Sequence, residues 1–218
     1  MHFHIITLFP NSFDSYLGES ILKRAIEDKK LKVSFYNPRD YAEDKWARVD
    51  RPPYAGGPGM VIQAEPVIRA ITKAIAGIKN KESGIKIIFL SPNGKQFDNA
   101  YAKKVAKKYK DIIIVSGRYE GIDARVKKVF KMEDVSVGPF ILTGGELPAM
   151  LMVDVIARQV PGVLGNLDSL EESRTASPDV YTRPESFTYK GKKYSVPKVL
   201  LSGNHAKIEE WRRKKKGV

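Results

Sequence analysis

The chain has 218 residues, of which 42% are hydrophobic and 10% aromatic, and it contains no cysteine. This composition fits one sizeable packed domain with a small appendage, and it excludes disulfides, thiolate nucleophiles and cysteine-ligated metal centres. The net charge of +13 is large for this length and indicates a polyanionic partner.

The chain start predicts a strand rather than a targeting segment. Residues 1–10 lack a basic leader and a small-residue cleavage site. No apolar run approaches the roughly 20 residues that a membrane span needs. We therefore expect a cytoplasmic protein without a membrane partner. The histidines His2, His4 and His205 lie at the two ends of the sequence, so we expect no metal site.

Strand and helix patterns alternate along residues 1–160. Apolar runs predict strands, and apolar residues at helical spacing predict helices. The predicted strands cover residues 2–8, 33–35, 86–90, 111–116 and 134–137. The predicted helices cover residues 13–26, 65–76, 99–108, 122–130 and 147–160, and residues 37–60 form an irregular segment. Strands separated by helices predict an α/β domain with a largely parallel sheet that is covered on both faces.

Three glycine-bearing segments, residues 90–95, 117–123 and 142–148, follow predicted strands. In parallel sheets, ligands bind at the carboxyl ends of the strands, where such segments meet. The third segment also leads into a helix, whose first N–H groups are unpaired. We therefore expect a ligand site here. The chain has no P-loop, and no G-x-G-x-x-G follows the first strand, so the common nucleotide sites are not indicated.

The predicted helix 147–160 is almost entirely apolar, with Asp154 and Arg158 as its only charges. A surface helix would carry a polar face. The helix is therefore buried either inside one chain or against a second subunit.

The apolar pattern ends after residue 160, and residues 161–177 have the glycine- and serine-rich composition of a flexible linker. Residues 178–218 then form a small, mainly helical and basic domain, with Asn204 as the N-cap of its last helix. Residues 186–218 carry ten Lys or Arg residues and two Glu residues. This excess predicts binding to RNA or DNA, ahead of a membrane surface.

Six motifs occur in one order, at residues 53–60, 90–95, 117–123, 142–150, 181–184 and 200–205. Together they closely resemble the bacterial tRNA (guanine-N1)-methyltransferase family, called TrmD, over essentially the whole chain. The resemblance implies a SPOUT-class fold with a deep trefoil knot and an obligate homodimer. It also implies that S-adenosylmethionine donates a methyl group to N1 of the guanosine 3′ of the tRNA anticodon, position 37, which supports reading-frame maintenance.

The resemblance places the cofactor in the loops of the knot. The implied cofactor-binding residues are Leu90, Ser91, Pro92, Gly117, Arg118, Tyr119, Glu120, Val137, Gly138, Pro139, Phe140, Ile141, Leu142, Gly144, Gly145 and Pro148. Pro139 and Phe140 depart from the family pattern. Pro139 removes a backbone N–H donor, and Phe140 removes a side-chain hydroxyl. Glu120 is implied as an indirect partner of Mg²⁺.

The chemistry requires a base for the guanine N1 proton and a cation near O6. The resemblance implies Arg158 as the catalytic arginine, with a salt bridge to Asp154 as the alternative role. The family's linker acid aligns with Glu172 if one residue is deleted, whereas without the deletion Ser173 falls at that position and the acid is lost. We therefore expect Glu172 to be the base, with Asp168 and Asp179 as alternatives.

The resemblance also implies a set of tRNA-binding residues, spread over the glycine-rich segment and the basic domain. They are Asp50, Gly57, Gly59, Arg183, His205 and Arg212. Two other functions stay open: a SPOUT methyltransferase that acts on another RNA base, and a non-catalytic homologue that binds S-adenosylmethionine and RNA.

Overall fold

The computed structural model describes residues 1–79, 84–165 and 179–216. The chain divides into two compact units, Met1–Gly165 and Asn166–Val218. The division falls within the predicted linker 161–177, most of which lies outside the described residues.

The first unit is built on a parallel sheet. Its strands are β1 (His2–Ile6), β2 (Lys32–Tyr36), β3 (Asp50–Arg51), β4 (Val61–Ile62), β5 (Ile85–Gln96), β6 (Asp111–Val115) and β7 (Glu133–Ser136). Five of them form one sheet in the order β2-β1-β6-β5-β7, and every pairing in it is parallel. β3 lies inside the segment 37–60 that was predicted to be irregular, and it pairs antiparallel with β4, which directly follows that segment. The predicted α/β domain with a parallel sheet is confirmed.

Helices cover both faces of this sheet. They are α1 (Asp14–Leu17), α2 (Ser20–Glu27), α3 (Ala64–Ala76), α4 (Asn99–Lys108), α5 (Val126–Val129) and α6 (Glu146–Ala157). The side chains of α1, α2, α4 and α6 share one core with Phe3, Ile88 and Ile112 of the sheet. Those of α3 and α5 share a second core with Ile6 and Ile113, whose side chains point to the opposite face.

Two predicted helices are shorter than their apolar spacing indicated. The predicted helix 13–26 is interrupted at residues 18–19, and Ser20, the first residue of α2, has a φ of 50°. The predicted helix 122–130 contains only the single turn α5. Before that turn, the Asp123 carboxylate accepts a hydrogen bond from the backbone N–H of Arg125, at 2.9 Å. Such local side-chain bonds compete with helix formation.

Strand β5 is longer than the predicted strand 86–90 and includes the predicted loop 90–95. Its register against β7 shifts, so that Leu90 and Lys95 both lie opposite Val135. The intervening residues bulge out of the ladder. Gly94 allows β5 to rejoin β7 after the bulge, because a Cβ at this position would lie only 2.5 Å from the backbone of Asp134.

The second unit contains a hairpin that the sequence did not predict. β8 (Ser186–Tyr189) and β9 (Lys192–Ser195) pair through Lys190 and Gly191, which have φ values of 48° and 76°. Two positive φ values are typical of a type I′ turn. Because nearly every residue of both strands is exposed, no hydrophobic alternation marks them. Helices α7 (Lys198–Leu201) and α8 (His205–Lys216) follow.

The predicted N-cap of α8 is confirmed. The Asn204 side chain accepts a hydrogen bond from the backbone N–H of Lys207 at 3.1 Å. This bond satisfies one of the amide groups that the first turn leaves unpaired.

Candidate active site

A pocket of about 320 Å³ opens at the carboxyl ends of β6 and β7, beside the bulge of β5. Its volume lies within the range of about 300–1,000 Å³ that is common for small-molecule sites. Its lining residues are Leu90, Ser91, Pro92, Gly117, Arg118, Tyr119, Glu120, Gly121, Val135, Ser136, Val137, Gly138, Phe140, Ile141, Leu142, Thr143, Gly144, Gly145 and Pro148. The three segments predicted to meet at this edge of the sheet do meet.

Glycines allow two of these segments to touch. The Gly145 N–H donates a hydrogen bond to the Gly117 carbonyl at 2.8 Å. A Cβ on Gly145 would lie 2.7 Å from the Cα of Ser116, and a Cβ on Gly144 would lie 2.6 Å from the Glu146 carboxylate. The segments after β6 and β7 can therefore approach this closely only without side chains at these positions.

Ser136 and Phe140 shape the segment that follows β7. The buried Ser136 hydroxyl donates to the Gly138 carbonyl at 2.9 Å and accepts from the Gly138 N–H at 3.2 Å. The Phe140 ring lies where a Cβ on Gly138 would otherwise be. Phe140, which departs from the family pattern, therefore supplies an apolar wall rather than a hydroxyl.

The buried Glu146 carboxylate, which the sequence did not single out, connects segments on different sides of the pocket. Glu146 begins α6 and is 3% exposed. It accepts hydrogen bonds from the Thr7 hydroxyl and from Nε of Arg118, both at 2.8 Å. The Arg118 guanidinium also lies 4.7 Å from the centre of the Phe9 ring. Arg118, predicted to bind the cofactor, thus joins the segment after β6 to β1 and α6.

The glycine-rich segment before β4 lies against the same pocket. A Cβ on Gly59 would lie 2.6 Å from the Glu120 carboxylate, and the Glu120 N–H donates to the Met60 carbonyl at 3.0 Å. Gly57, in contrast, has open space around it and a φ of 114°. Asp50 lies in β3, half-buried, opposite Ile62. The predicted substrate residues of the first unit therefore sit on elements connected to the pocket wall.

All predicted cofactor-binding residues except Pro139 line the pocket. Pro139 is exposed and lies outside the lining. Among the described residues, the buried Ser116 hydroxyl finds no hydrogen-bond partner. Ser116 directly precedes Gly117 of the lining. Ser116 itself is buried and is not among the lining residues.

Of the two predicted catalytic residues, only Arg158 lies among the described residues, and it does not line the pocket. Arg158 is half-buried and lies at the C-terminal end of α6. The Asp154 carboxylate accepts a hydrogen bond from the Tyr16 hydroxyl, and this bond raises the pKa of Tyr16. Glu172 and its alternative Asp168 lie outside the described residues.

The remaining predicted residues belong to the second unit, and all are exposed. Asp179, Arg183 and His205 lie on its surface, and His205 begins α8. Arg212 forms an ion pair with Glu209, with 3.3 Å between the nitrogen and the oxygen. At such exposure, a pair of this kind contributes little to stability.

A parallel α/β sheet with a glycine-walled pocket at the carboxyl ends of its strands defines the class of α/β proteins that bind small molecules at that edge of the sheet. The family is shown by comparison. A model of the tRNA (guanine-1)-methyltransferase TrmD family matches residues 1–217, and the chain belongs to this family. The match confirms the family and the enzyme class predicted from the six motifs.

Curated relatives agree over nearly their full length, and each is named a tRNA (guanine-N(1)-)-methyltransferase. The protein of Geobacter sulfurreducens is 45% identical over 99% of this chain and 86% of its own length. That of Clostridioides difficile is 44% identical over 98% of this chain and 91% of its own length. That of Campylobacter jejuni subsp. doylei is 45% identical over 95% of this chain and 88% of its own length.

Among the described residues, no helix combines the length and the apolar character that crossing a bilayer requires.

Proposed function

We propose that this protein transfers a methyl group from S-adenosylmethionine to N1 of the guanosine at tRNA position 37. One observation carries the proposal. The cofactor residues implied by the motifs, Pro139 apart, converge from three separate segments on one pocket at the carboxyl edge of the sheet. The family membership supports the reaction class.

The pocket has the chemistry that S-adenosylmethionine needs. Leu90, Val137 and Leu142 offer apolar surface for a purine ring, and the glycines expose backbone groups to its polar edge. The Glu120 carboxylate lines the pocket and suits a cationic ligand. Bound S-adenosylmethionine supplies an electrophilic methyl group on a sulfonium.

We infer that the segments around the pocket form the trefoil knot implied for the SPOUT class. The chain leaves β7, an edge strand next to β5, and then contacts the segment after β6 through Gly145 and Gly117. It continues into α6, which packs on α4. This return past β5 is the kind of path that a knot requires, and such paths are rare in proteins.

The proton chemistry falls to a carboxylate and an arginine. Guanine N1 carries a proton at neutral pH, so a base must remove it as the methyl group is transferred. We assign this role to Glu172, with Asp168 and Asp179 as alternatives. Arg158 would stabilise the negative charge that develops on O6. Neither role needs a covalent intermediate on the enzyme.

The basic second unit is proposed to hold tRNA phosphates. Lys190, Lys192 and Lys193 lie on or beside the turn of its hairpin, and all three are exposed. In α8, Arg213 and Lys214 are also exposed, and Lys214 pairs with Glu210 at 2.7 Å. Contacts of this type are strong but insensitive to sequence, and they weaken as salt is added.

We also propose a homodimer that buries the outer face of α6. Leu147 and Leu151, one turn apart, are 58% and 39% exposed, although the helix is almost entirely apolar. The inner face packs in the core through Met152 and Ile156. The two predicted explanations of this apolar helix therefore apply to different faces. Sedimentation of Leu151→Glu should show a larger monomer fraction than that of the unmodified protein.

Methylation of an unmodified tRNA transcript tests the function directly. The purified protein, S-adenosylmethionine and transcript should give 1-methylguanosine on nucleoside mass analysis, and a transcript with adenosine at position 37 should give none. A different methylated nucleoside would favour the alternative SPOUT activity. Stoichiometric binding of S-adenosylmethionine without any transfer would favour the non-catalytic alternative.

The base is tested with a matched pair of substitutions in the linker. Glu172→Gln should lower the single-turnover methylation rate by about 100-fold or more, the typical contribution of a general base. Affinity for S-adenosylmethionine should change little. The neighbouring Glu171→Gln removes the same charge and should retain the rate. If both variants turn over normally, Glu172 is not the base.

The Mg²⁺ requirement, with Glu120 as an indirect partner, stays a prediction, and so does the cytoplasmic location. Transfer rates measured with and without a chelator of divalent ions would decide the first.

A further inference from the structure

A second cluster of chemically active groups lies at the opposite, amino-terminal edge of the sheet. His2 and His4 are two residues apart on β1, so their side chains share one face. The parallel register places Asp111, the first residue of β6, beside His2. The two imidazole centres are 3.8 Å apart. The fold thus places the Asp111 carboxylate beside two histidines that are more than 100 residues away in the sequence.

The donor atoms of these three side chains have the separations that a metal ion needs. Asp111 Oδ1 lies 3.6 Å from His2 Nδ1 and 3.1 Å from His4 Nε2. One donor atom from each residue falls in a group whose members all lie within 4.8 Å of one another. Zinc–ligand bonds of about 2.0–2.2 Å at tetrahedral angles put neighbouring donors about 3.3 Å apart.

Each imidazole is also oriented through its other nitrogen. His2 Nε2 lies 2.8 Å from the Ser34 hydroxyl, and His4 Nδ1 lies 3.1 Å from the Tyr36 hydroxyl. Metal-binding histidines almost always carry such an outer hydrogen bond, which sets the tautomer and the ring orientation. Because a hydroxyl can donate or accept, both contacts persist whether Asp111 faces an N–H group or a metal ion.

The imidazoles are available as neutral ligands. Burial lowers the pKa of His2 to about 4 and also lowers that of His4. The cluster is partly accessible, since the side chains of His2 and Asp111 are 21% and 15% exposed. Lys32 and the α-amino group of Met1 lie close enough to oppose a cation. The amino group is hydrogen-bonded to the Lys30 carbonyl at 2.8 Å.

We propose that His2, His4 and Asp111 form a binding site for a divalent transition-metal ion, foremost Zn²⁺, with water completing the coordination. Two imidazoles and one carboxylate favour Zn²⁺, Co²⁺ or Ni²⁺ over Mg²⁺, which prefers oxygen ligands alone. The ion would join β1 to β6 at the edge of the sheet remote from the cofactor pocket. Its role would be to stabilise the fold rather than to take part in methyl transfer.

Equilibrium dialysis of the full-length, untagged and chelator-treated protein against Zn²⁺ tests the site. We expect one ion per chain, and an intense visible absorption of a tetrahedral complex when Co²⁺ replaces Zn²⁺. Zn²⁺ should also raise the melting temperature, because an ion that binds only the folded chain stabilises it. Substoichiometric binding by folded protein would overturn the proposal.

The variants separate this cluster from adventitious binding. His2→Gln should lower the Zn²⁺ affinity by at least about tenfold and abolish the Co²⁺ absorption, and its partly exposed position favours retention of the fold. Ser34→Ala should lower the affinity by about tenfold through the outer hydrogen bond. His205→Gln, in the second unit, is the control and should leave the metal content unchanged. Unchanged Zn²⁺ affinity in His2→Gln would refute the assignment.

Discussion

The buried Glu146 carboxylate makes the sharpest prediction about the pocket. Its side chain is 4% exposed and receives one hydrogen bond from Thr7 and one from Arg118. These bonds connect the end of β1, the segment after β6 and the start of α6. Glu146→Gln preserves the size of the side chain but removes its charge and replaces one acceptor with a donor.

The expected cost follows from the two bonds. A hydrogen bond to a charged group contributes about 1.5–3 kcal/mol, and a neutral one contributes about 0.5–1.5 kcal/mol. Losing the charge should therefore cost about 1 kcal/mol per bond, or about 2 kcal/mol for Glu146→Gln. Glu146→Ala should cost about 3 kcal/mol, the lower end for a broken buried pair, because water can reach the Arg118 side chain, which is 27% exposed.

Urea denaturation followed by circular dichroism, at one chain concentration, would measure these costs. Calorimetric titration with S-adenosylmethionine should also show weaker binding, because Arg118 helps to hold the pocket wall. Glu65→Gln is the matched control, since Glu65 also lies in the first turn of a helix, α3, but is exposed. Its cost should stay below about 1 kcal/mol. Equal costs for Glu146→Gln and Glu65→Gln would refute the reasoning.

Three further substitutions test other parts of the structure. Gly145→Ala forces apart two touching segments, so binding of S-adenosylmethionine should weaken at least tenfold by calorimetry, with a loss of stability of about 1–3 kcal/mol. Burial alone would raise the pKa of Glu133, but hydrogen bonds from Lys86 and Tyr101 outweigh it and lower the pKa. That stabilisation is present above the unfolded pKa near 4.5 and disappears as the pH falls through the lower pKa of Glu133 in the folded protein. In urea titrations, Glu133→Gln should therefore lose less stability than the wild type between pH 6 and pH 3.5. Asn204→Ala removes the cap of α8 and should speed amide hydrogen exchange in its first turn by about fivefold, for about 1 kcal/mol.

Each of these has an outcome that would contradict it. Undiminished binding by Gly145→Ala would mean that the two segments separate without loss. Identical acid profiles for wild type and Glu133→Gln would show that the ion pair does not persist in solution. Asn204→Asp retains a capping oxygen, so its amide hydrogens in the first turn of α8 should exchange at the wild-type rate. If the Asn204→Ala variant also exchanges at that rate, the cap does not stabilise this turn.

The regular elements were largely predictable because their signals are local. The apolar runs of β1 and β6 and the periodic faces of α3 and α4 match the structure within a few residues. The elements that differ from their predictions either depend on contacts with residues far away in the chain or have no buried face. β5 continues past its predicted end because Gly94 fits against β7, and the exposed hairpin has no apolar face to reveal it.

The site shows the same division. The glycine motifs predicted which segments meet, because parallel strands bring their carboxyl ends to one edge. The sequence did not single out Glu146 or Ser116, since an isolated acid at a helix start and a serine after a strand are common. Only their burial makes them conspicuous.

By itself, the sequence determined the α/β class, the family and the set of segments around the cofactor pocket, because motif order and hydrophobic period are properties of the chain. Tertiary structure alone decided that Glu146 joins three of these elements and that Pro139 stays outside the pocket. It also decided that Asp111 meets His2 and His4. The physical reason is register: residues far apart in the chain become neighbours only when strands pair, and no local pattern encodes which side chains then face each other.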